Sequence, residues 1–96
     1  MSKVKSAPAT LVLRLYIAGM TPNSVRAIAN ARAICSEHFA SNHELEIVDV
    51  QWHGRRALAD GIIVTPTLLR LRPVPVQRVI GDLSDTARVL LTLSGA

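Results

Sequence analysis

Apolar and polar residues along the chain follow two different periodicities. The segment TLVLRLYIA (10–18) is a run of β-forming residues interrupted by Arg14 and Tyr16, which is typical of an inner strand. The segment 23–39 then has apolar residues at helical spacing, which predicts an amphipathic helix. The apolar face predicted for this helix consists of Val25, Ile28, Ala31, Cys35 and Phe39.

The junction between this strand and this helix reads GMTPNS (19–24). Thr21 is a suitable N-cap and Pro22 a suitable first helical residue, because the missing N–H of proline costs nothing there. Side chains and backbone N–H groups at such junctions are often presented at the edge of a sheet. The junction is therefore a candidate for catalysis or for recognition.

The rest of the chain contains shorter elements. The pattern predicts a strand at 45–50, a weak helix at 55–60 ended by Gly61, β-rich residues at 62–72 and another strand at 76–80. The turn GDLSD then leads into a final helix over TARVLLTL, with Ser84 as the expected N-cap and Asp85 in the first turn.

This order of elements, β-α-β-α-β-β-α, predicts an α/β fold of the thioredoxin-like class. The first β-α-β unit should have parallel strands in a right-handed crossover, and the last two strands should pair antiparallel. The result is a mixed sheet flanked by helices. Pro66 agrees with this prediction, because a proline, commonly cis, stands just before the third strand of that fold.

Composition limits the class of protein. The 96 residues, 49% of them hydrophobic, predict one globular domain over 10–96 after a flexible leader at 1–9. We expect a cytoplasmic protein, because the chain lacks a signal-peptide h-region and any apolar stretch of the roughly 18 residues that a membrane helix needs. The net charge of +4 comes from dispersed arginines with few aromatics, which disfavours nucleic-acid binding.

Catalytic chemistry finds little support in the residues. Dithiol exchange needs two cysteines at the start of the first helix, whereas the only cysteine, Cys35, lies deep in that helix as a small buried hydrophobe rather than a reactive thiol. The three histidines lack ligand-like spacing, and the Asp82–Asp85 pair fits a capped turn better than an acid–base pair. We therefore expect no catalytic residues, no metal and no cofactor.

Four segments together resemble one protein family. Spaced as they are, LYIAGMTPNSVRA, IVDV, IVTPTL and VIGDLSD are similar to the corresponding segments of the circadian clock protein family KaiB. The resemblance runs from about Leu11 to Leu91 without an internal gap. The sensor domain of the clock-output histidine kinase is similar in fold but is attached to a kinase.

The resemblance implies a non-enzymatic binding module whose partner is the N-terminal ring of the ATPase KaiC. A KaiA-like protein or a histidine kinase would be involved indirectly. It further implies a metamorphic protein, which is a homo-oligomer (dimer or tetramer) when free and has an alternative ground-state order β-α-β-β-α-α-β. The C-terminal half rearranges between the two folds.

The resemblance also assigns roles to individual positions. It suggests partner-binding roles for Tyr16 and Arg26, to which Arg55 and Arg56 are added because they could replace a basic segment of cyanobacterial members. Gly81 and Asp82 match the turn that governs which fold is adopted, and Pro66 is the candidate cis-proline. The motif at the helix start consists of Gly19, Thr21, Pro22, Asn23 and Ser24.

Two other hypotheses remain open. One is a redox or peroxide-handling thioredoxin relative, whose activity would depend on Cys35. The other is a thioredoxin-like, stress-related protein-interaction module with no clock role.

Overall fold

A computed structural model describes residues 11–95; the predicted leader at 1–9 lies outside them. The order of elements is β-α-β-α-β-β-α, as predicted, and the alternative order β-α-β-β-α-α-β is not the one adopted. The strands are β1 (Leu11–Ile17), β2 (His43–Asp49), β3 (Thr67–Arg72) and β4 (Gln77–Ile80). The helices are α1 (Pro22–His38), α2 (Gly54–Ala59) and α3 (Thr86–Ser94). No helix within 11–95 is long and apolar enough to cross a membrane.

The four strands form one mixed sheet in the order β2-β1-β3-β4. β1 pairs with β2 in parallel and with β3 antiparallel, and β3 pairs with β4 antiparallel. The predicted parallel β-α-β unit and the predicted antiparallel β3–β4 pair are both confirmed. β1 is an inner strand, which explains its almost continuous hydrophobic run.

The side chains of β1 alternate between two cores. Leu13 and Leu15 face the larger core, which they share with residues of α1 and α3 such as Ala31 and Val89. Tyr16 faces a smaller core on the opposite side of the sheet, with Ala57 of α2. One helix thus covers one face of the sheet and two helices cover the other.

The apolar face of α1 differs from the prediction at its beginning. Val25 is exposed, and the helix instead directs a row of mostly small residues at the sheet. This row consists of Ser24, Ala27, Ala31, Ile34 and Cys35. Small side chains allow the helix to approach the sheet closely, and the Ser24 hydroxyl is tolerated there because it is hydrogen-bonded. Because the prediction considered apolar residues alone, it placed the buried face on the side of Val25 and not on the side of Ser24 and Ala27.

The N-cap of α3 is Asp85 and not Ser84. The Asp85 carboxylate accepts a hydrogen bond from the backbone N–H of Arg88 at 3.2 Å, and the helix begins at Thr86. Both residue types are good caps, so the sequence did not distinguish them. The backbone path of the preceding turn decides which side chain reaches the free N–H groups.

β3 is shorter than the β-rich segment 62–72. The Thr65–Pro66 peptide bond is cis, and the strand begins at Thr67, because proline cannot donate to a strand ladder. Arg70 of β3 is fully buried, and its guanidinium donates to the backbone oxygens of Thr92, Leu93 and Gly95 at the end of α3. A cation at this position is favoured by the helix dipole.

Candidate recognition site

The loop between β1 and α1 is fixed by its own side chains. The Thr21 hydroxyl accepts from the Ser24 N–H at 3.3 Å and donates to the Ser24 hydroxyl at 3.0 Å. The Ser24 hydroxyl also accepts from the Ala18 N–H at 3.2 Å. The predicted cap at Thr21 and the predicted first position at Pro22 are both confirmed. Ser24 is buried, so it shapes the loop and does not offer a contact surface.

Asp49, at the end of β2, connects the β1–α1 loop to the loop after β2 through hydrogen bonds. Its two carboxylate oxygens each accept from the Gly19 N–H at 3.2 Å, and one accepts from the Gln51 N–H at 2.9 Å. Gly19 has a φ of +62°, and a Cβ on it would lie 3.2 Å from the Gln51 side chain. Asp49 was not among the predicted site residues, although a carboxylate at the end of a parallel strand is a usual signal for a functional or organising residue.

The position at which thioredoxins carry their dithiol contains no thiol here. It forms a shallow groove lined by Ala18, Thr21, Pro22, Asn23 and Thr65, between the start of α1 and the cis-proline loop. Cys35 is buried, and burial raises the pKa of its thiol, so the thiolate that would act as a nucleophile is disfavoured. Residues 11–95 hold no group of three or more His, Cys, Asp or Glu side chains that could bind a metal ion.

Tyr16 belongs to a polar network on the α2 side of the sheet. Its side chain is fully buried, and its hydroxyl donates to the Asp60 carboxylate at 2.6 Å, with the Arg56 carbonyl oxygen at 3.1 Å. Arg14 bridges Asp60 and Glu46, at 2.9 Å from each. In this conformation Tyr16 holds α2 on the sheet and contributes no surface to a partner.

The charges of this network stabilise one another. Hydrogen bonds from Arg56 and Arg14 lower the pKa of Glu46 to about 2. Desolvation alone would raise the pKa of Asp60, but hydrogen bonds from Tyr16 and Arg14 outweigh it and lower that pKa. Desolvation and the bond to Asp60 raise the pKa of the Tyr16 hydroxyl. Both carboxylates are therefore ionised at neutral pH.

The three arginines expected to bind a partner differ in their surroundings. Arg56 pairs with Glu46 at 2.7 Å, and Arg26 pairs with Asp82 at 3.1 Å while also donating to Asn23. Arg55 is exposed and forms no salt bridge with any other residue between 11 and 95. Of the three arginines, Arg26 and Arg56 therefore each have a salt-bridge partner at the surface, and Arg55 has none among residues 11–95.

The turn after β4 is held by α1. The Asp82 carboxylate accepts from Arg26 and from the Ser84 N–H, while its carbonyl oxygen accepts from the Asn30 side chain at 2.9 Å. The hydrogen bonds from Ser84 and Arg26 lower the pKa of Asp82. Gly81 has a φ of +118°, a region that a Cβ penalises, so the expectation of a special backbone conformation there is confirmed.

Exposed apolar side chains mark the loops at the carboxyl end of the parallel strands. Met20 follows β1, Trp52 follows β2 and Ile63 precedes β3, and all three are largely exposed. These three residues were not predicted, because an apolar residue in a loop gives no signal of its own. Together with Arg55, they leave apolar and cationic side chains exposed at this end of the molecule, and exposed apolar groups of this kind are common where proteins bind one another.

Comparisons with known proteins agree with this description. The KaiB domain family matches residues 14–94. The circadian clock oscillator protein KaiB of Prochlorococcus marinus is 48% identical over 84 residues, covering 88% of this chain and 71% of that protein. The KaiB protein of a Nostoc species is 44% identical over 90 residues, covering 94% of this chain and 83% of that protein.

Solved structures extend the likeness to the fold. The N-terminal domain of Synechococcus elongatus SasA superposes with a TM-score of 0.73 at 24% identity, covering 95% of this chain and 87% of that domain. The thioredoxin of Fasciola hepatica superposes with a TM-score of 0.72 at 17% identity, covering 88% of this chain and 81% of that protein. These likenesses concern the fold alone. The match over residues 14–94 and the identities above place the chain in the KaiB family, with a thioredoxin-like fold.

Proposed function

We propose that this protein is a non-enzymatic clock or stress regulator that binds a KaiC-type ring ATPase and modulates its ATPase and phosphorylation cycle. The main support for the proposal is the structure of the β1–α1 loop, in a chain that belongs to the KaiB family. Its conformation is fixed by Thr21, Ser24 and Asp49, and no thiol lies where thioredoxins react. A rigid, redox-inactive loop suits recognition of a protein surface.

The binding surface in this proposal comprises the β1–α1 loop and the segment that carries Arg55 and Arg56. Guanidinium groups pair well with carboxylates, so an acidic patch on the ring is the expected counterpart. The free Arg55 can bind without losing an internal partner. Arg26 and Arg56 would have to give up Asp82 and Glu46 or share them.

The pairing of Arg26 with Asp82 also supports assembly that depends on conformation. A ring carboxylate that competes for Arg26 would weaken the contact between α1 and the turn after β4. Binding and the stability of that turn would then be linked, because a ligand shifts an equilibrium by its differential affinity for the two states.

Co-sedimentation with the cognate ring ATPase tests the proposal, since a ring of this class is far heavier than a 10.4 kDa chain. We expect the wild type to sediment with the ring. We expect Arg55→Gln to weaken binding about tenfold, whereas Arg32→Gln, a change at an exposed arginine of α1, should have no effect. If the wild type fails to bind, the ring-ATPase function is wrong. Binding that survives in Arg26→Gln, Arg55→Gln and Arg56→Gln alike would remove the arginine interface.

A further inference from the structure

The groove beside the start of α1 is a small space with uncharged walls. Its volume is about 410 Å³, at the lower end of the range for ligand pockets. The residues that line it, called the α1 groove below, are Ala18, Thr21, Pro22, Asn23 and Thr65, and none of them is ionisable. The charged groups bonded to the same loop already have partners, because Asp49 accepts from the Gly19 N–H and Arg26 pairs with Asp82. The α1 groove therefore suits an uncharged ligand.

One wall of the α1 groove ends a segment, residues 63–65, whose main chain is largely unpaired. The N–H and C=O groups of Ile63 and Thr65 have no hydrogen-bond partner among residues 11–95. Val64 uses only its C=O group, which accepts from the Thr67 hydroxyl at 2.7 Å. Thr65 is half-buried, so its main-chain groups are less open to water than those of an exposed loop. Unpaired main-chain groups of this kind are a template for pairing with another extended chain.

The segment 63–65 is fixed on both sides. Before it, the Ile62 N–H donates to the Ala57 carbonyl oxygen at 2.9 Å. After it, the Pro66 carbonyl oxygen accepts from the Gly81 N–H at 3.0 Å. A residue that precedes proline, as Thr65 does, also favours an extended backbone. A ligand that pairs with this segment therefore does not have to order it first, which lowers the cost of binding.

Apolar side chains stand near the α1 groove. Met20, in the same loop as Thr21, is 74% exposed, and Ile63 is 93% exposed. Val64 is 45% exposed. Exposed apolar groups beside a groove with unpaired main-chain groups provide both kinds of contact that an extended peptide needs, main chain for affinity and side chain for specificity.

We propose that the α1 groove binds an extended, uncharged, aliphatic segment of another protein, whose main chain pairs with Thr65. One residue of that segment accepts from the Thr65 N–H and donates to the Thr65 C=O, while its aliphatic neighbours contact Met20 and Ile63. Binding is non-covalent, because no thiol lines the groove. The inference goes beyond the proposed function: it concerns a peptide and is tested without the ring ATPase, so its failure would leave that function standing.

Selection of random peptides displayed on phage, carried out on the wild type in the presence of a reductant, tests the proposal. We expect enriched peptides to share two or more aliphatic residues without an intervening charge. Synthetic copies are then titrated by fluorescence anisotropy. If no peptide is enriched, or if the enriched peptides carry Asp, Glu, Lys or Arg between the aliphatic residues, the proposal is wrong.

Matched variants locate the bound peptide. Pro22→Glu places a charge on the wall of the α1 groove and should weaken binding at least about tenfold, whereas Val25→Glu, in the next turn of α1 and outside the groove, should not change it. Ile63→Ser should also weaken binding about tenfold. Its control is Val74→Ser, because Val74 is 76% exposed at the opposite end of the sheet. Equal effects within each pair would overturn the proposal.

Main-chain pairing is measured on the wild type with a selected peptide at saturation. Hydrogen exchange of the Thr65 amide, followed by NMR, should slow at least about tenfold, because the peptide then accepts from this N–H. N-methylation of the paired peptide residue should weaken binding about tenfold, whereas N-methylation of the next residue, whose N–H points away, should not. A bound peptide that leaves exchange of the Thr65 amide unchanged would overturn the proposal, as would an N-methyl series without this alternation.

Discussion

Tyr16→Phe removes one oxygen atom from a side chain that is fully buried and leaves the ring in place. The lost hydroxyl lies 2.6 Å from the Asp60 carboxylate and 3.1 Å from the Arg56 carbonyl oxygen. Asp60 would then keep Arg14 as its side-chain partner. This change therefore measures what the polar network beneath α2 contributes to the fold.

The expected cost follows from the type of bond. A hydrogen bond to a charged group contributes about 1.5–3 kcal/mol to stability. The Asp60 side chain is 24% exposed, so water can replace part of the lost bond, and we expect the lower part of that range, about 1.5–2 kcal/mol. For a domain of this size, each kcal/mol lowers the melting temperature by about 4–8 °C.

Urea denaturation followed by circular dichroism measures this cost, because the exposed Trp52 is a poor reporter of unfolding. The midpoint should fall with an unchanged m value. A double-mutant cycle with Asp60→Asn should give a coupling energy of about 1 kcal/mol. Thr92→Val, which removes an exposed hydroxyl bonded to the Arg88 carbonyl oxygen, serves as the control and should cost under about 0.5 kcal/mol. A Tyr16→Phe cost as small as that control, or an additive cycle, would refute the reasoning.

Three further predictions concern backbone, pH and thiol chemistry. Gly81→Ala should lower the free energy of unfolding by about 1 kcal/mol or more, because the φ of Gly81 is +118°. Gly54→Ala at the start of α2 should instead raise it by about 0.4–1 kcal/mol. Urea titrations measure both changes. The ion pairs of Glu46, whose pKa falls from 4.5 to about 2, stabilise the fold above about pH 4.5, and this contribution is lost as the pH falls towards 2. Because the Glu46 side chain is 48% exposed, we expect these ion pairs to contribute under about 1 kcal/mol to the free energy of unfolding. The difference in stability between the wild type and Glu46→Gln measures this contribution and should vanish as the pH falls over that range. Cys35 should react with Ellman's reagent only as fast as the native protein opens, and at the rate of a free thiol in denaturant.

Each of these predictions has its own contrary result. If Gly81→Ala and Gly54→Ala change the free energy of unfolding equally, the positive φ of Gly81 does not determine the stability of the turn after β4. A constant difference between wild type and Glu46→Gln from pH 5 to pH 2 would show that Glu46 titrates normally. Rapid native-state labelling of Cys35 would show that the thiol is accessible and would revive the redox hypothesis.

Local signals in the sequence predicted the start of α1 correctly, because the determinants are adjacent. Thr21 and Pro22 act on backbone groups within one helical turn, so their effect does not depend on the rest of the fold. The parallel pairing of β1 with β2 and the antiparallel pairing of β3 with β4 also followed from local signals, namely the order of elements and the lengths of their connections. The cap of α3 was wrong because Ser84 and Asp85 are both good caps, and the path of the turn through Leu83, at a φ of +66°, selects between them.

Contacts between distant residues could not be predicted from spacing. Arg14 and Asp60 are 46 residues apart, and the three arginines with expected partner roles gave no sign that two of them are paired internally. The role of Asn30 at the turn after β4 is of the same kind, since it depends on α1 crossing the end of that turn. Residue type shows which groups can pair, and only the fold shows which of them do.

The strand order has a consequence for how the two halves of the chain hold together. β1 and β2 come from the first half and β3 and β4 from the second, so a single strand-to-strand seam, β1 against β3, joins them through backbone hydrogen bonds. Each half also contains one strand pair of its own, β1 with β2 in the first and β3 with β4 in the second. A cut between α2 and β3 would therefore divide the sheet at the β1–β3 pairing alone, and two separate pieces would rebuild the sheet only by restoring that pairing.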